Sequence, residues 1–136
     1  MGVSRFSISM DESLLKQFEA YKRQEGYPTR SEAVQALIRQ ALVRKEWNEN
    51  AEVIGAITIV YDHHQRGLSE KLTAIQHRFE SLVVCVQHVH VDHHNCLEVL
   101  IVRGAASDIR KLAKALKALK RLKHDGMVAA TTGQSI

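Results

Sequence analysis

The sequence predicts an α+β protein in two parts, a βαα segment over residues 1–47 and a βαββαβ domain over residues 53–136. Three observations support this. A strict polar–apolar alternation opens the chain and gives way to two stretches with helical spacing. Six further segments then read strand, helix, strand, strand, helix, strand. The 136 residues are 45% hydrophobic and 25% charged, a soluble globular composition with room for two small domains.

In the first part, Arg5-Phe6-Ser7-Ile8-Ser9-Met10 alternates, so Phe6, Ile8 and Met10 face one side of a strand and Arg5, Ser7 and Ser9 the other. Asp11 is placed to cap a helix carrying Leu14, Leu15, Phe18 and Tyr21 on one face, and Gly26 with Pro28 ends it. Ser31 is placed to cap a second helix with the stripe Val34, Leu37, Ile38, Ala41 and Leu42. One strand and two helices cannot bury a stable core alone, and a lone strand leaves its backbone groups unpaired. Two chains that pair their strands antiparallel and interlock their helices remove both deficits. The segment is therefore expected to be an obligate dimer.

The polar stretch Glu46 to Glu52 reads as a linker. Beyond it, Val53 to Tyr61 reads as a strand, Leu68 to Phe79 as a helix and Leu82 to Val91 as a strand. Asp92-His93-His94 reads as a turn into a strand from Cys96 to Val102. A helix then turns Ile109, Leu112, Ala113, Leu116 and Leu119 inward, and Met127 to Thr132 closes as a strand. That order is the split βαβ, or ferredoxin-like, arrangement.

The net charge of +4 and pI of about 9.2 make an acidic partner worth testing without establishing one. The excess is +2 on each side of Trp47 (8 basic against 6 acidic residues before it, 11 against 9 after), so position, not total charge, must mark any nucleic-acid surface. Arg110 to Lys123 holds seven basic residues and no acid, and its stripe Arg110, Lys114, Lys117 and Arg121 reads as a solvated helix face. No apolar run suits a signal peptide or a membrane span, so a cytoplasmic location and no membrane partner are expected. Two cysteines make no disulfide framework, and Cys85 and Cys96 fall out of register in the expected hairpin. Reduced thiols are expected, with Cys85 packed and off the face that carries His88 and His90.

The pattern Arg-x-Ser-x-Ser on a strand, then a helix, then Gly26-Tyr27-x-x-Arg30-Ser31-Glu32-Ala33-Val34 resembles the ribbon-helix-helix DNA-binding domain over Arg5 to Leu42. In that family a two-stranded ribbon enters the major groove of double-stranded operator DNA. The resemblance implies that Arg5, Ser7 and Ser9 read base edges, chemistry suited to a forked guanidinium and to hydroxyls. Ser31 and the amides opening the second helix would clamp phosphate.

Eight histidines are many for this length, and four lie between His88 and His94. His88-x-His90 puts two imidazoles on one face of a strand. Cys96 joins them only if residue 90 lies opposite residue 96, which an odd-length turn provides. Two nitrogens and one thiolate leave a further position, for which His77 near the end of the preceding helix is a donor. Thiolate with imidazole suits zinc, copper or nickel; a planar set suits Ni²⁺ and a tetrahedral one Zn²⁺.

Gln76-His77, Gln87-His88-Val89-His90-Val91 and Asn95-Cys96-Leu97-Glu98 together resemble the metal core of the NikR family of nickel-responsive transcriptional regulators. With the N-terminal segment, the resemblance spans nearly the whole chain. It implies an ACT-type ferredoxin-like regulatory domain and a homotetramer in which two DNA-binding dimers flank four such domains. It implies Ni²⁺ held by His77 of one subunit and His88, His90 and Cys96 of its neighbour, with Gln76 and Glu98 supporting the ligands. It also implies a phosphate contact from Arg66, and repression of nickel uptake in response to nickel. Ser7 and Ser9 stand where some relatives have threonine, which implies a different operator preference. A cation site of the family pairs a glutamate, matched by Glu32, with an acid one turn later, where this chain has Ala36; that site is expected to be weak or absent. His63, His64, His93, His94 and His124 are expected to be exposed imidazoles, with a secondary metal site at His63 and His64 the less favoured alternative.

Other functions fit the residues less well. A metal storage or delivery protein would not need Arg5 or the second-helix signature. An enzyme using Cys96 as nucleophile and His90 as base would need a substrate pocket and an oxyanion device, and no motif suggests either. An amino-acid sensor would leave the His, His, Cys, His set unexplained.

Overall fold

A computed structural model describes residues 2–136, in two compact units that meet in sequence between Gln40 and Ala41. The division falls inside the second helix, upstream of the expected linker.

The first unit holds α1 (Glu12–Glu25) and the first turns of α2 (Arg30–Asn48). Asp11 caps α1 as expected, its carboxylate accepting from the amides of Ser13 and Leu14 at 2.8 and 3.4 Å. Gly26, at φ 79°, closes α1 in the left-handed conformation that suits a residue without Cβ. The cap of α2 is Thr29, not Ser31: the Thr29 hydroxyl accepts from the Glu32 amide at 3.1 Å, and Ser31 sits one step inside the first turn. Thr29-x-x-Glu32 is the spacing of a capping box. Residues 5–10 form no strand in this chain. A strand exists only through a ladder partner, and a single copy offers none. Phe6 is 72% exposed, and Ile8, Leu14, Leu37, Ile38 and Leu42 are exposed as well.

The second unit is a four-stranded antiparallel sheet, β1 (Glu52–Asp62), β2 (Val83–His90), β3 (Asn95–Ala105) and β4 (Leu122–Ala129), in the order β2-β3-β1-β4. With α3 (Leu68–Arg78) between β1 and β2 and α4 (Ala106–Lys117) between β3 and β4, this is the ferredoxin-like order. Period-two alternation on the central strands buries Val53, Ile57, Ile59 and Tyr61 from β1, and Cys96, Glu98, Leu100 and Val102 from β3. The helices contribute Leu68, Leu72, Ile109, Leu112 and Leu116 to the same core.

Three expectations change. The stretch Glu46 to Glu52 is not a free linker: α2 runs to Asn48, Asn50 turns the chain at φ 58°, and β1 opens at Glu52. Trp47 is 3% exposed, donates its indole N–H to the Ala130 carbonyl at 2.8 Å and packs under the Arg110 guanidinium. One buried aromatic in a polar run anchors the segment. Next, β4 starts at Leu122 and not at Met127, because its register is set by pairing with β1, from Gly55↔Ala129 to Tyr61↔Leu122. Lys123, His124 and Asp125 on this edge strand hide the pattern. Finally, Cys85 is free but exposed, since β2 is an edge strand with little packed against it; Cys96 is free and buried.

Candidate metal centre and DNA-reading surface

The hairpin β2–β3 meets the parity condition. His90 lies opposite Cys96 and His88 opposite Glu98, so both imidazoles share the face that carries the thiol and the carboxylate. Asp92 holds the connecting turn, its Oδ1 accepting from the amides of His94 and Asn95 at 2.8 Å each and its Oδ2 from the Asn95 side chain at 2.9 Å. Those donors keep the Asp92 carboxyl ionised down to about 2.

At the inner end of the pair, Cys96 Sγ lies 3.5 Å from His90 Nδ1. His63 completes a group: the donor atoms of His63, His90 and Cys96 all lie within 4.8 Å of one another. His88 stands beside His90, with ring centroids 5.1 Å apart. Burial, then the charges of Glu98, Asp62 and Asp92, pushes the Cys96 thiol up from its ordinary value. A cation that binds the thiolate must therefore displace a proton there.

Glu98 organises the rest. The residue is 8% exposed, and its Oε1 accepts from the Tyr61 hydroxyl at 2.7 Å and from His88 Nδ1 at 2.9 Å. Its Oε2 accepts from the Gln76 side-chain amide at 3.1 Å. Burial first, and then Glu98, drives the Tyr61 hydroxyl far above its ordinary value, so Tyr61 stays a donor. With Nδ1 of His88 donating to a carboxylate, Nε2 carries the free lone pair. That is the arrangement that orients imidazole ligands to metals. Two imidazoles and a thiol on one face, one imidazole fixed by a buried carboxylate, form a donor set that fits a borderline divalent ion such as Ni²⁺.

His77 does not join this group within one chain. Its side chain is 78% exposed on α3 and lies 3.9 Å from the Glu80 carboxylate. His63, expected as an exposed imidazole with a secondary metal site the less favoured alternative, is half-buried and joins His90 and Cys96 instead. Burial, followed by the nearby charge of His64, lowers its pKa. The signal was present: the alternation Ile57, Ile59, Tyr61 runs on to His63, whose amide donates to the His94 carbonyl at 3.0 Å.

In the N-terminal unit, Arg5, Ser7, Ser9 and Ser31 are all exposed. Arg66 is also exposed and lines a cleft with Lys71, Lys120 and Arg121. Among the described residues, no helix is long and apolar enough to cross a membrane.

Comparison with known proteins agrees with both halves. Residues 54–129 match the family described as the NikR C terminal nickel binding domain, and residues 4–45 match the ribbon-helix-helix proteins of the copG family. Relatives include a protein of Syntrophus aciditrophicus, 48% identical over 97% of this chain and 96% of its own. Others come from Desulfotalea psychrophila, 46% identical over 98% of each chain, and Geobacter sulfurreducens, 47% identical over 97% and 96%. All three carry the provisional name of nickel-responsive regulator. An uncharacterized protein of known structure from Thermotoga maritima superposes with a TM-score of 0.51 at 14% identity, over 57% of this chain and 95% of its own, a likeness of fold alone.

Proposed function

The chain belongs to the NikR family of nickel-responsive regulators, and from that premise we propose that it represses nickel-uptake genes by binding operator DNA when nickel is bound. The family is one of transcription regulators, not enzymes. In this reading residues 1–47 bind DNA, and residues 53–136 bind metal and assemble the tetramer. The observation that carries the reading is the shared face of His88, His90 and Cys96 backed by buried Glu98.

His88, His90 and Cys96 of one subunit hold Ni²⁺ together with His77 of a neighbour. When bound, the ion would supply a coordination link between chains and neutralise the thiolate. Exposed His77 is free to reach another copy, and Gln76 beside it binds Glu98 of its own chain. The exposed Phe6, Ile8, Leu37 and Ile38 are covered in the DNA-binding dimer, where the 5–10 segments pair as a ribbon. Arg5, Ser7 and Ser9 then point outward to base edges, while the amides at the start of α2 with Ser31, and Arg66, contact phosphates. Nickel and operator favour the same arrangement of subunits, so each raises affinity for the other by the same factor.

The test is a selection of duplexes from a random pool, followed by binding titrations with and without Ni²⁺ and with Zn²⁺ as control. Sequence-selective binding that requires Ni²⁺ is expected; selectivity indifferent to Ni²⁺ would overturn the reading. Mixing His77→Ala and His88→Ala proteins under exchange conditions should regain intact sites in hybrid tetramers. If no Ni²⁺ binding returns, the shared-ligand assignment is wrong.

A further inference from the structure

The junction between α2 and the sheet is built more tightly than a tether needs. Trp47, in the last turn of α2, is 3% exposed and donates its indole N–H to the Ala130 carbonyl at 2.8 Å. Its ring edge packs on the bare backbone of Gly55, where an added Cβ would meet the indole at 3.6 Å and the Val128 carbonyl at 2.9 Å. The Arg110 guanidinium stands 5.6 Å from the ring centroid, and its Nη1 donates to the Trp47 carbonyl at 3.4 Å. One residue back, the Glu46 carboxylate accepts from the Thr131 hydroxyl at 2.8 Å. The Ala130 amide is itself tied to the Ile54 carbonyl at 3.0 Å, so the residues after β4 close over the end of α2 as a clasp. We propose that this clasp, Trp47 and Glu46 against Ala130 and Thr131, couples the metal centre to the DNA-binding segment through α2. The proposal rests on the regulatory reading above.

Two strands join the two places. At one end β1 carries Tyr61 and β3 carries Cys96 and Glu98; at the other β1 opens at Glu52 and β3 closes at Ala105. There the Ala106 amide donates to the Ala51 carbonyl at 3.0 Å, the Ser107 amide to the Asn50 side chain at 2.7 Å, and Arg103 to Glu52 at 3.1 Å. α2 ends at this same place, and its turns from Ala41 onward belong to the second unit although the helix begins in the first.

A tether of free residues would let the direction of α2 vary whatever the sheet did, and DNA binding would have to remove that conformational entropy. A seated α2 leaves the second unit in one direction, so an ion that fixes how those units assemble also fixes where the helices emerge. Nickel can favour the DNA-binding arrangement only by the difference in its affinity for the two states, and a slack junction erases that difference. Trp47 and Thr131 are positioning residues in this scheme, apart from the proposed ligands and the proposed DNA contacts.

Thr131→Asp in the full-length protein sets a second carboxylate against Glu46 and opens the clasp by like-charge repulsion. Trp47 is the single tryptophan of the chain, so fluorescence reports its seat directly. Emission should move to the red as the indole meets water, while Ni²⁺ stoichiometry, the thiolate charge-transfer band and metal-free DNA affinity stay as in wild type. The gain in operator affinity on adding Ni²⁺, roughly 5- to 150-fold for couplings of ordinary size, should shrink to a small fraction of its wild-type value. The double variant Glu46→Lys, Thr131→Asp replaces the repulsion by an ion pair and should restore both the emission and most of the gain. Trp47→Phe keeps an aromatic ring without the N–H donor, and should lose part of the gain with the band unchanged. Red-shifted emission with the full gain retained would overturn the proposal, as would unshifted emission in Thr131→Asp or a lost gain that the double variant does not restore. Absence of any Ni²⁺-dependent gain in wild type would count against the regulatory reading and take the coupling role with it, while emission would still report the clasp.

Discussion

Replacing Glu98 separates the folding of the metal centre from its affinity. Glu98→Ala removes the acceptor for the Tyr61 hydroxyl, the Gln76 amide and His88 Nδ1 at once. Tyr61 is 3% exposed, so its hydroxyl is left without a partner. An orphaned buried donor costs about 1–3 kcal/mol. For a domain of this size each kcal/mol lowers the melting temperature by roughly 4–8 °C. The metal-free variant should therefore melt several degrees or more below wild type. His88 also loses the partner that fixes its ring and tautomer, a loss that typically weakens metal binding about 10- to 100-fold. Glu98→Gln keeps an acceptor for Tyr61 but not the charge behind His88. It should recover most of the melting temperature and little of the affinity. Thermal melts of the metal-free proteins and chelator competition for Ni²⁺ read the two effects separately. A Glu98→Ala protein that melts low yet binds Ni²⁺ as tightly as wild type would refute the positioning role.

Arg5→Ala removes a side chain proposed to read a base edge, a contact worth roughly 1–3 kcal/mol of discrimination, and should lower operator affinity with the Ni²⁺ spectrum unchanged. His90→Ala should do the reverse, leaving only weak, salt-sensitive attraction to any DNA; operator titrations and absorption spectra of both proteins check the division. Trp47→Ala should cost about 3–5 kcal/mol for its emptied cavity, whereas a true linker residue would melt like wild type in the same scan. Asp92→Ala removes a carboxyl held at about 2. Because that value is depressed, its stabilisation is complete above roughly pH 4 and is lost as pH falls through the folded value. The variant should thus melt below wild type at pH 7, with the gap closing toward pH 2; a gap constant with pH would contradict this origin.

What one sequence determined was set by short-range geometry. Asp11 and Gly26 bound α1 because capping and left-handed turns involve residues within four positions of each other. The alternation of β2 and β3 and the odd-length turn at Asp92 placed His88, His90, Cys96 and Glu98 on one face, because side chains on a strand repeat every two residues. The resemblance to nickel-responsive regulators was legible for the same reason, since its motifs are short and contiguous.

Only the tertiary structure decided where segments distant in sequence meet. Trp47 is an anchor because residues 83 positions away supply the Ala130 carbonyl. The start of β4 depends on its partner β1, and residues 5–10 stay outside any sheet because no segment of the chain pairs with them. His63 joins His90 and Cys96, and His64 joins Asp62 and His94, through the approach of two turns 30 residues apart. Local preference biases each residue by tenths of a kcal/mol to about one. Burial and pairing between remote segments contribute more, and they are properties of the assembled fold, so no local pattern announces them.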